Sequence, residues 1–243
     1  MDKFFIIIQA RMTSTRLPSK VMLPLCGKTV LEIMIDRLRK FKENIIIATT
    51  NDGTEKPIVE LCKKLGIKYY EGDTSNVLSR YYEASLKYGV GDNDIIIRCT
   101  SDCPLIDQEI LGRTLEFFRK NNSDYSSANQ STGFPRGLDT EVFRFGLLKK
   151  AYLNATTFFE KEHVTPYMYK TIKNDIEISL LKNKNDDSKY RLTLDEEDDY
   201  IAIKEIYLRL NNRIDFSYEE LIQMLEENKY IYEINSHVEQ KKG

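Results

Sequence analysis

Short, unbroken apolar runs alternate with amphipathic stretches along the first part of the chain. "FFIII" at 4–8, "IIIAT" at 45–49 and "DIIIRC" at 94–99 are β-rich and apolar, as strands buried on both faces are. Between the first two, Leu31, Met34, Ile35 and Leu38 recur at i, i+3, i+4 and i+7, the spacing of one helix face. Residues 54–65 and 76–88 also read as helices. This β-α-β-α order predicts an α/β domain with a mainly parallel sheet. The second half is less regular. "DYSSA" (124–128) and "IEISLL" (176–181) are candidate strands, and the Gly/Pro-punctuated "STGFPRGLD" between them is a loop. Helices are expected near Asp195 and at Ser217, where "SYEE" offers a capping box. With no repeat and no linker, residues 1–243 read as one domain with an elaborated second half at about 124–192, and the tail "HVEQKKG" is expected to fray.

Composition narrows the classes. The chain has 243 residues, 41% of them hydrophobic, and a net charge of -2, which fits a globular protein without the basic excess of a nucleic-acid or membrane-surface binder. The apolar run 4–8 is too short for a signal-peptide core or a membrane span. Four cysteines form no CxxC pair and there are two histidines, which argues against a thiolate or Cys/His zinc site. Reduced thiols in a cytoplasm are the simplest expectation.

Against this neutral background one loop stands out. Beyond the strand end at Gln9 come Arg11, Arg16, Lys20 and Lys28, and no acid occurs from Lys3 to Leu31. In α/β sheets, ligands sit beyond the carboxyl ends of strands, so these cations would gather where a small anion binds. Arg suits a bidentate grip on phosphate oxygens, and Lys acts as a mobile point charge. Neither GxxxxGK[ST] nor GxGxxG is present, and a solvated basic loop is the plain alternative. The stretch "IIIQARMTSTRLPSKVMLPLCGKTVLE" resembles the N-terminal signature of the sugar cytidylyltransferases. That family includes the acylneuraminate and deoxy-octulosonate cytidylyltransferases and the SpsF-type spore-coat polysaccharide enzymes. The shared core, Ala-Arg-x-x-Ser-x-Arg-x-Pro-x-Lys, is met by Ala10, Arg11, Ser14, Arg16, Pro18 and Lys20. The family often has Gly at the positions of Thr13 and Ser19. The resemblance implies a Rossmann-like nucleotidyltransferase fold, three layers α/β/α around a mixed sheet. It also implies that Arg11, Ser14, Arg16 and Lys20 hold the triphosphate of a nucleotide and that Gln9 and Ala10 belong to the nucleotide site.

Chemistry at the α-phosphorus of a triphosphate calls for a divalent ion, and Mg2+ takes one or two carboxylates plus phosphate oxygens and waters. Asp102, in "IIIRCTSDCPLID", follows the third apolar strand. From spacing alone it could equally be a turn or capping acid. The segment is similar to the family's R-x-T-G-D-C-P-L-I-D, with Ser101 in place of Gly. The resemblance implies that Asp102 is a ligand for Mg2+ or Mn2+, that Ser101 belongs to the nucleotide site and that Asp107 is structural or capping. Asp195, in "YRLTLDEEDDY", ends a β-like RLTL and would serve as a helix N-cap followed by dipole-favourable acids. The family's R-L-T-V-D-T-P-E-D-L implies that it completes the metal pair.

"GDTSNVLSRYYEAS" (72–85) reads as an N-capped helix with Arg80 facing solvent, and its likeness to G-x-x-x-x-V-L-x-R-Y-x-x-A implies that Arg80 contacts the nucleotide. "TGFPRGLDTEVF" resembles P-x-G-L-D-x-E-V-F and implies acceptor contacts from Arg136 and Asp139. "EKEHVTPYMY" resembles R-E-H-V-T-P-Y-x-Y and implies the same for Glu162 and His163. A lone His is more often structural, and Tyr167 and Tyr169 are as readily packing residues as ligands. The expected reaction is transfer of CMP from CTP to a sugar acid, sugar phosphate or similar small acceptor, with Arg11, Lys20, Asp102 and His163 as catalytic residues. Two alternatives are a guanylyl- or other nucleotidyltransferase acting on a sugar 1-phosphate, and a GT-A-type glycosyltransferase. The latter usually needs Asp-x-Asp where this chain has Ser-Asp-Cys. Partners expected are CTP and a small anionic or sugar acceptor, with no nucleic acid and no membrane; related synthetases often form homodimers.

Overall fold

The computed structural model describes residues 2–239, so the last residues of the polar tail lie outside it. Its three apolar runs form adjacent parallel strands: β1 (Phe4–Gln9) lies between β4 (Ile45–Thr50) and β6 (Ile95–Thr100). Two two-residue strands, β2 (Pro24–Leu25) and β3 (Lys28–Thr29), make a hairpin after the first loop. The large sheet has seven strands in the order β5-β4-β1-β6-β8-β7-β9. The outer members are β5 (Lys68–Gly72), β7 (Tyr125–Ala128), β8 (Thr140–Arg144) and β9 (Ile178–Leu180). Only β8 runs against the rest, pairing antiparallel with both β6 and β7. Its start therefore lies at the edge where β1 and β6 end.

Helices cover both faces. Side chains alternate along the central strands, so Ile6, Ile8, Ile45, Ile47, Ile95 and Ile97 point to one side. They meet α1 (Val30–Arg37), α2 (Lys56–Leu65) and α4 (Gln108–Lys120). Ile7, Ile46 and Ile96 point the other way, to α3 (Val77–Lys87) and α5 (Phe145–Asn154) and to the segment after α6 (Phe158–His163). A third cluster joins α1 to α7 (Glu197–Arg209), α8 (Tyr218–Glu227) and α9 (Lys229–Asn235). The three-layer α/β/α arrangement is the expected one. Among the described residues no helix is long and apolar enough to cross a membrane.

Local chemistry sets several boundaries. Asp107 caps α4 by accepting from the Glu109 and Ile110 amides at 2.8 and 2.9 Å. Ser217 and Glu220 form the expected capping box of α8. Two expectations need correction. RLTL forms no strand: Arg191 makes a single β-bridge with Arg136. Asp195 is not the cap of α7 either, because Glu196 takes that position and the helix starts at Glu197.

The bridge between Arg136 and Arg191 brings two loops together over the strand ends, and Gly137 is what permits the approach. It sits at φ +101°, and a β-carbon there would lie 2.5 Å from the carbonyl carbon of Leu192 and 2.6 Å from the Thr193 nitrogen. These neighbours are backbone and have no rotamer to move away. Gly27 has φ +74° with open space around it. Gly137→Ala is expected to cost about 3 kcal/mol, combining strain with overpacking, and Gly27→Ala about 1 kcal/mol. Urea denaturation of the two variants measures the difference, and equal losses would show that the loop contact is not tight.

Candidate active site

The basic loop is rooted in the sheet and folds back on itself. The Ala10 amide still bonds the Ala48 carbonyl at 3.1 Å, and its methyl is packed in the core at 2% exposure. Ala10 therefore offers a ligand only its backbone. The Met12 carbonyl then accepts from Ser14 and Ser19 amides at 3.1 and 2.9 Å, closing the loop. Ser19 stands at φ +56°, the left-handed region that glycine favours, which explains the preference for Gly there in the family the sequence resembles. Ser14 Oγ accepts from the Leu17 amide at 3.4 Å. A 3-10 turn at Lys20–Met22 follows, with Val21 buried beneath it, and this turn aims Lys20 across the strand ends.

The Lys20 ammonium donates to Asp102 Oδ2 at 3.1 Å, Asp195 Oδ1 at 2.8 Å and the Leu194 carbonyl at 2.7 Å. Arg16 adds Nη2 to Asp195 Oδ1 at 2.9 Å and Nη1 to Glu196 at 3.4 Å. The two aspartates come together because the 192–194 segment docks on Asp102: the Leu194 amide donates to the Asp102 carbonyl at 2.8 Å. Ser101 is buried just before, its amide on the Gln9 carbonyl at 3.1 Å. Burial raises the Asp102 pKa, but Lys20 and a bond from Thr100 outweigh it and hold the carboxyl well below its usual range. Burial likewise works against the Lys20 charge, and the two aspartates overcome it. Lys28 does not join this cluster. Its ammonium is 2.5 Å from Asp36 on α1.

The carboxylate pair fits a divalent ion. Oxygens of Asp102 and Asp195 already converge on one cationic nitrogen, and both belong to a hard-oxygen donor set. Among the described residues no group of three His, Cys, Asp or Glu could hold a metal, so an ion on this pair would need its remaining ligands from waters or from a bound molecule.

Arg80 is not on a solvent face. It is 1% exposed, and its Nε and Nη1 are buried without a hydrogen-bond partner. Burial pulls its pKa down to about 10, and nearby Arg11 adds to the drop, opposed by Asp73 and Asp52. Arg11 itself is exposed. Two guanidinium groups thus lie near one another at the loop, one of them lacking partners it needs. Only an anion or a polar acceptor relieves that cost.

On the other side of β6, the expected acceptor residues fall into two groups. Asp139 accepts from the Gly137 amide at 2.8 Å, and burial raises its pKa, with Glu141 and Asp102 adding to the rise. Arg136 has a buried Nε without a partner. His163 ends α6, half-exposed, 3.9 Å from Glu162 and ring-to-ring with Phe159 at 4.7 Å. Burial lowers its pKa, with Arg98 and Lys170 adding to the drop and Glu162 and Glu141 opposing it.

Sequence reasoning missed what joins these parts. Arg98 pairs with Glu141 across β6 and β8 and donates to Gln9 Oε1 at 3.2 Å. Glu141 also accepts from Tyr125 at 2.5 Å and Thr165 at 2.7 Å. The signal was there: each is a charged residue set in a strand among apolar neighbours. Thr165 closes a γ-turn, its amide on the His163 carbonyl at 2.8 Å, with Val164 at φ 71° and ψ -57°. For a β-branched residue this backbone is strained, at a cost on the order of 1–3 kcal/mol. Arg191 and Asp199, which hold Asp195, were missed as well.

Comparison with known proteins follows the same pattern. The family model described as Cytidylyltransferase matches residues 5–239. The chain is 38% identical over 242 residues to an uncharacterized protein of Methanocaldococcus jannaschii, covering 97% of this chain and 95% of that one. It is 32% identical over 240 residues to the spore coat polysaccharide biosynthesis protein SpsF of Bacillus subtilis, covering 94% and 96%. A solved cytidylyltransferase structure from Leptospira borgpetersenii superposes with a TM-score of 0.90 at 34% identity, covering all of both chains.

The Lys20 cluster makes a pH-dependent prediction. Because the Asp102 pKa is depressed, its contribution to stability is present above the ordinary carboxylate value of about 4 and is lost as pH falls below it. Because the Lys20 pKa is raised, its contribution is present below the ordinary lysine value and is lost only at higher pH. Lys20→Met leaves the partly buried Asp102 without its cation and should cost about 3 kcal/mol at pH 7. Burial then raises the Asp102 pKa, so the variant gains stability as pH falls from 7 towards 5. Urea denaturation at both pH values tests this; a deficit that does not shrink on acidification would contradict it.

Proposed function

The chain belongs to the cytidylyltransferase family, and on that premise we propose that it transfers the CMP group of CTP to a small sugar acceptor and releases pyrophosphate. The observation that carries this reading is the Lys20 ammonium, which ties the basic loop to two aspartates from distant segments. Arg11, Ser14, Arg16 and Lys20 bind the triphosphate, and Gln9, Ala10 and Ser101 stand at the strand ends beside the nucleotide. Arg80 supplies its unpartnered nitrogens to the nucleotide. Asp102 and Asp195 hold Mg2+ or Mn2+, which when bound neutralises charge on the triphosphate.

An acceptor oxygen forms a bond to the α-phosphorus as the bond to the β-phosphate oxygen breaks, and the electron pair leaves with pyrophosphate. Arg16 and Lys20 face that leaving group. Their contribution is positioning and charge stabilisation rather than covalent chemistry. On the acceptor side stand Arg136, Asp139, Glu162 and His163. His163 is half-exposed and its pKa is lowered, so the imidazole is neutral at neutral pH and able to take a proton from a sugar hydroxyl. A phosphate or carboxylate oxygen needs no such base. The name of the Bacillus subtilis relative favours a sugar destined for a surface polysaccharide.

A pyrophosphate-release assay with each of the four NTPs against sugar acids, sugar phosphates and free sugars tests the reading. CTP should be preferred. Preference for another NTP would favour a different nucleotidyl donor, and turnover of a finished nucleotide sugar alone would favour a glycosyltransferase. Arg11→Ala and Asp102→Asn should each lower the rate by about 10²- to 10³-fold. Near-normal turnover in both would remove these residues from the site.

A further inference from the structure

Asp199, in the first turn of α7, is fully buried, and its carboxylate accepts five hydrogen bonds. Oδ2 takes the amides of Asp195 and Glu196 at 2.9 and 3.0 Å and Arg191 Nη2 at 2.9 Å. Oδ1 takes Arg191 Nε at 2.7 Å and Asn235 Nδ2 at 2.9 Å. Arg191 Nη2 also reaches Asp195 Oδ2 at 3.4 Å, leaving Asp195 Oδ1 to face Lys20 and Arg16. Asp195 is therefore fixed twice, through its backbone amide and through its rear oxygen, and Asp199 stands behind both. Asn235 is 2% exposed and ends α9; the same Nδ2 bonds the Arg191 carbonyl at 3.0 Å.

A helix cap needs one acceptor for one or two amides. Five donors on one buried carboxylate, including a two-nitrogen grip by an arginine that also touches the next acid, exceed that need. Outer groups that orient a ligating carboxylate act in this way. We propose that Asp199 and Asn235 are positioning residues for Asp195, so that α9, remote in sequence from every site motif, takes part in setting the cation site. The inference rests on the reading of Asp195 as a metal ligand.

The test measures CTP binding by calorimetry in Mn2+ and in chelator, together with the Mn2+ EPR line shape and the thermal midpoint. The proteins compared are wild type, Asp199→Asn, Asn235→Ala and Asp195→Asn. Asp199→Asn should weaken binding about 10- to 100-fold in Mn2+ and leave binding in chelator unchanged. Asn235→Ala, which removes the bonds to Asp199 and to the Arg191 carbonyl, should do the same by roughly 5-fold. Both should alter the EPR line shape. The proposal falls if these two variants bind as wild type in Mn2+ while Asp195→Asn does not. It also falls if their losses are equal in Mn2+ and chelator and track a lowered thermal midpoint, the mark of a merely structural role. Metal-dependent binding retained by Asp195→Asn would overturn the reading of Asp195 and the proposal with it. Should Asp199→Asn fail to fold, Asn235→Ala decides alone.

Discussion

Two carboxylates whose oxygens converge on one point repel each other unless a cation stands between them. Lys20 meets that requirement, and much of the surrounding structure follows from it. The loop closed on the Met12 carbonyl and the left-handed turn at Ser19 bring the lysine to the strand ends. The docking of Leu194 on Asp102 brings the second acid to the first. Gly137 lets the two loops approach closely enough for that docking to occur. Remove the ammonium and the two acids repel across a gap that backbone contacts hold shut.

Most of the fold was legible because its central strands are apolar on both sides and so read as continuous runs. The strands outside that central group were harder. β5, "KYYEG", mixes polar and aromatic residues, and β8, "TEVFR", carries the buried Glu141 among apolar neighbours. RLTL has strand-like composition, yet only Arg191 forms a β-bridge, because the segment crosses over the strand ends, its Leu192 and Leu194 amides bonding the Arg136 and Asp102 carbonyls, rather than joining the sheet. The basic loop and both aspartates were legible as motifs. Arg80 was not legible as a buried group, since arginine usually faces water and only three-dimensional packing shows that its nitrogens are enclosed. Asp199 read as a dipole-favourable acid because its other donors, Arg191 and Asn235, come from elsewhere in the chain.

Glu141 gives the site its second organising point. Through Arg98 it reaches Gln9 at the end of the first strand, and through Thr165 it fixes the strained turn after His163. Gln9 at the end of β1 and the turn after His163 thus share one buried carboxylate, made possible by the reversed direction of β8. A parallel strand at that place would present its other end, and Glu141 would lie near the far edge of the sheet.

The unpartnered nitrogens of Arg80 and the exposed Arg11 have a consequence for the economy of the reaction. On the proposed reading, fixed guanidinium groups would recognise phosphate oxygens, not the number of bonds joining the phosphates, and so would retain the departing product as well as the arriving substrate. Directionality then cannot come from the cradle. It must come from whatever hydrolyses or carries away the released pyrophosphate, and the forward yield of the proposed transfer is set by that removal.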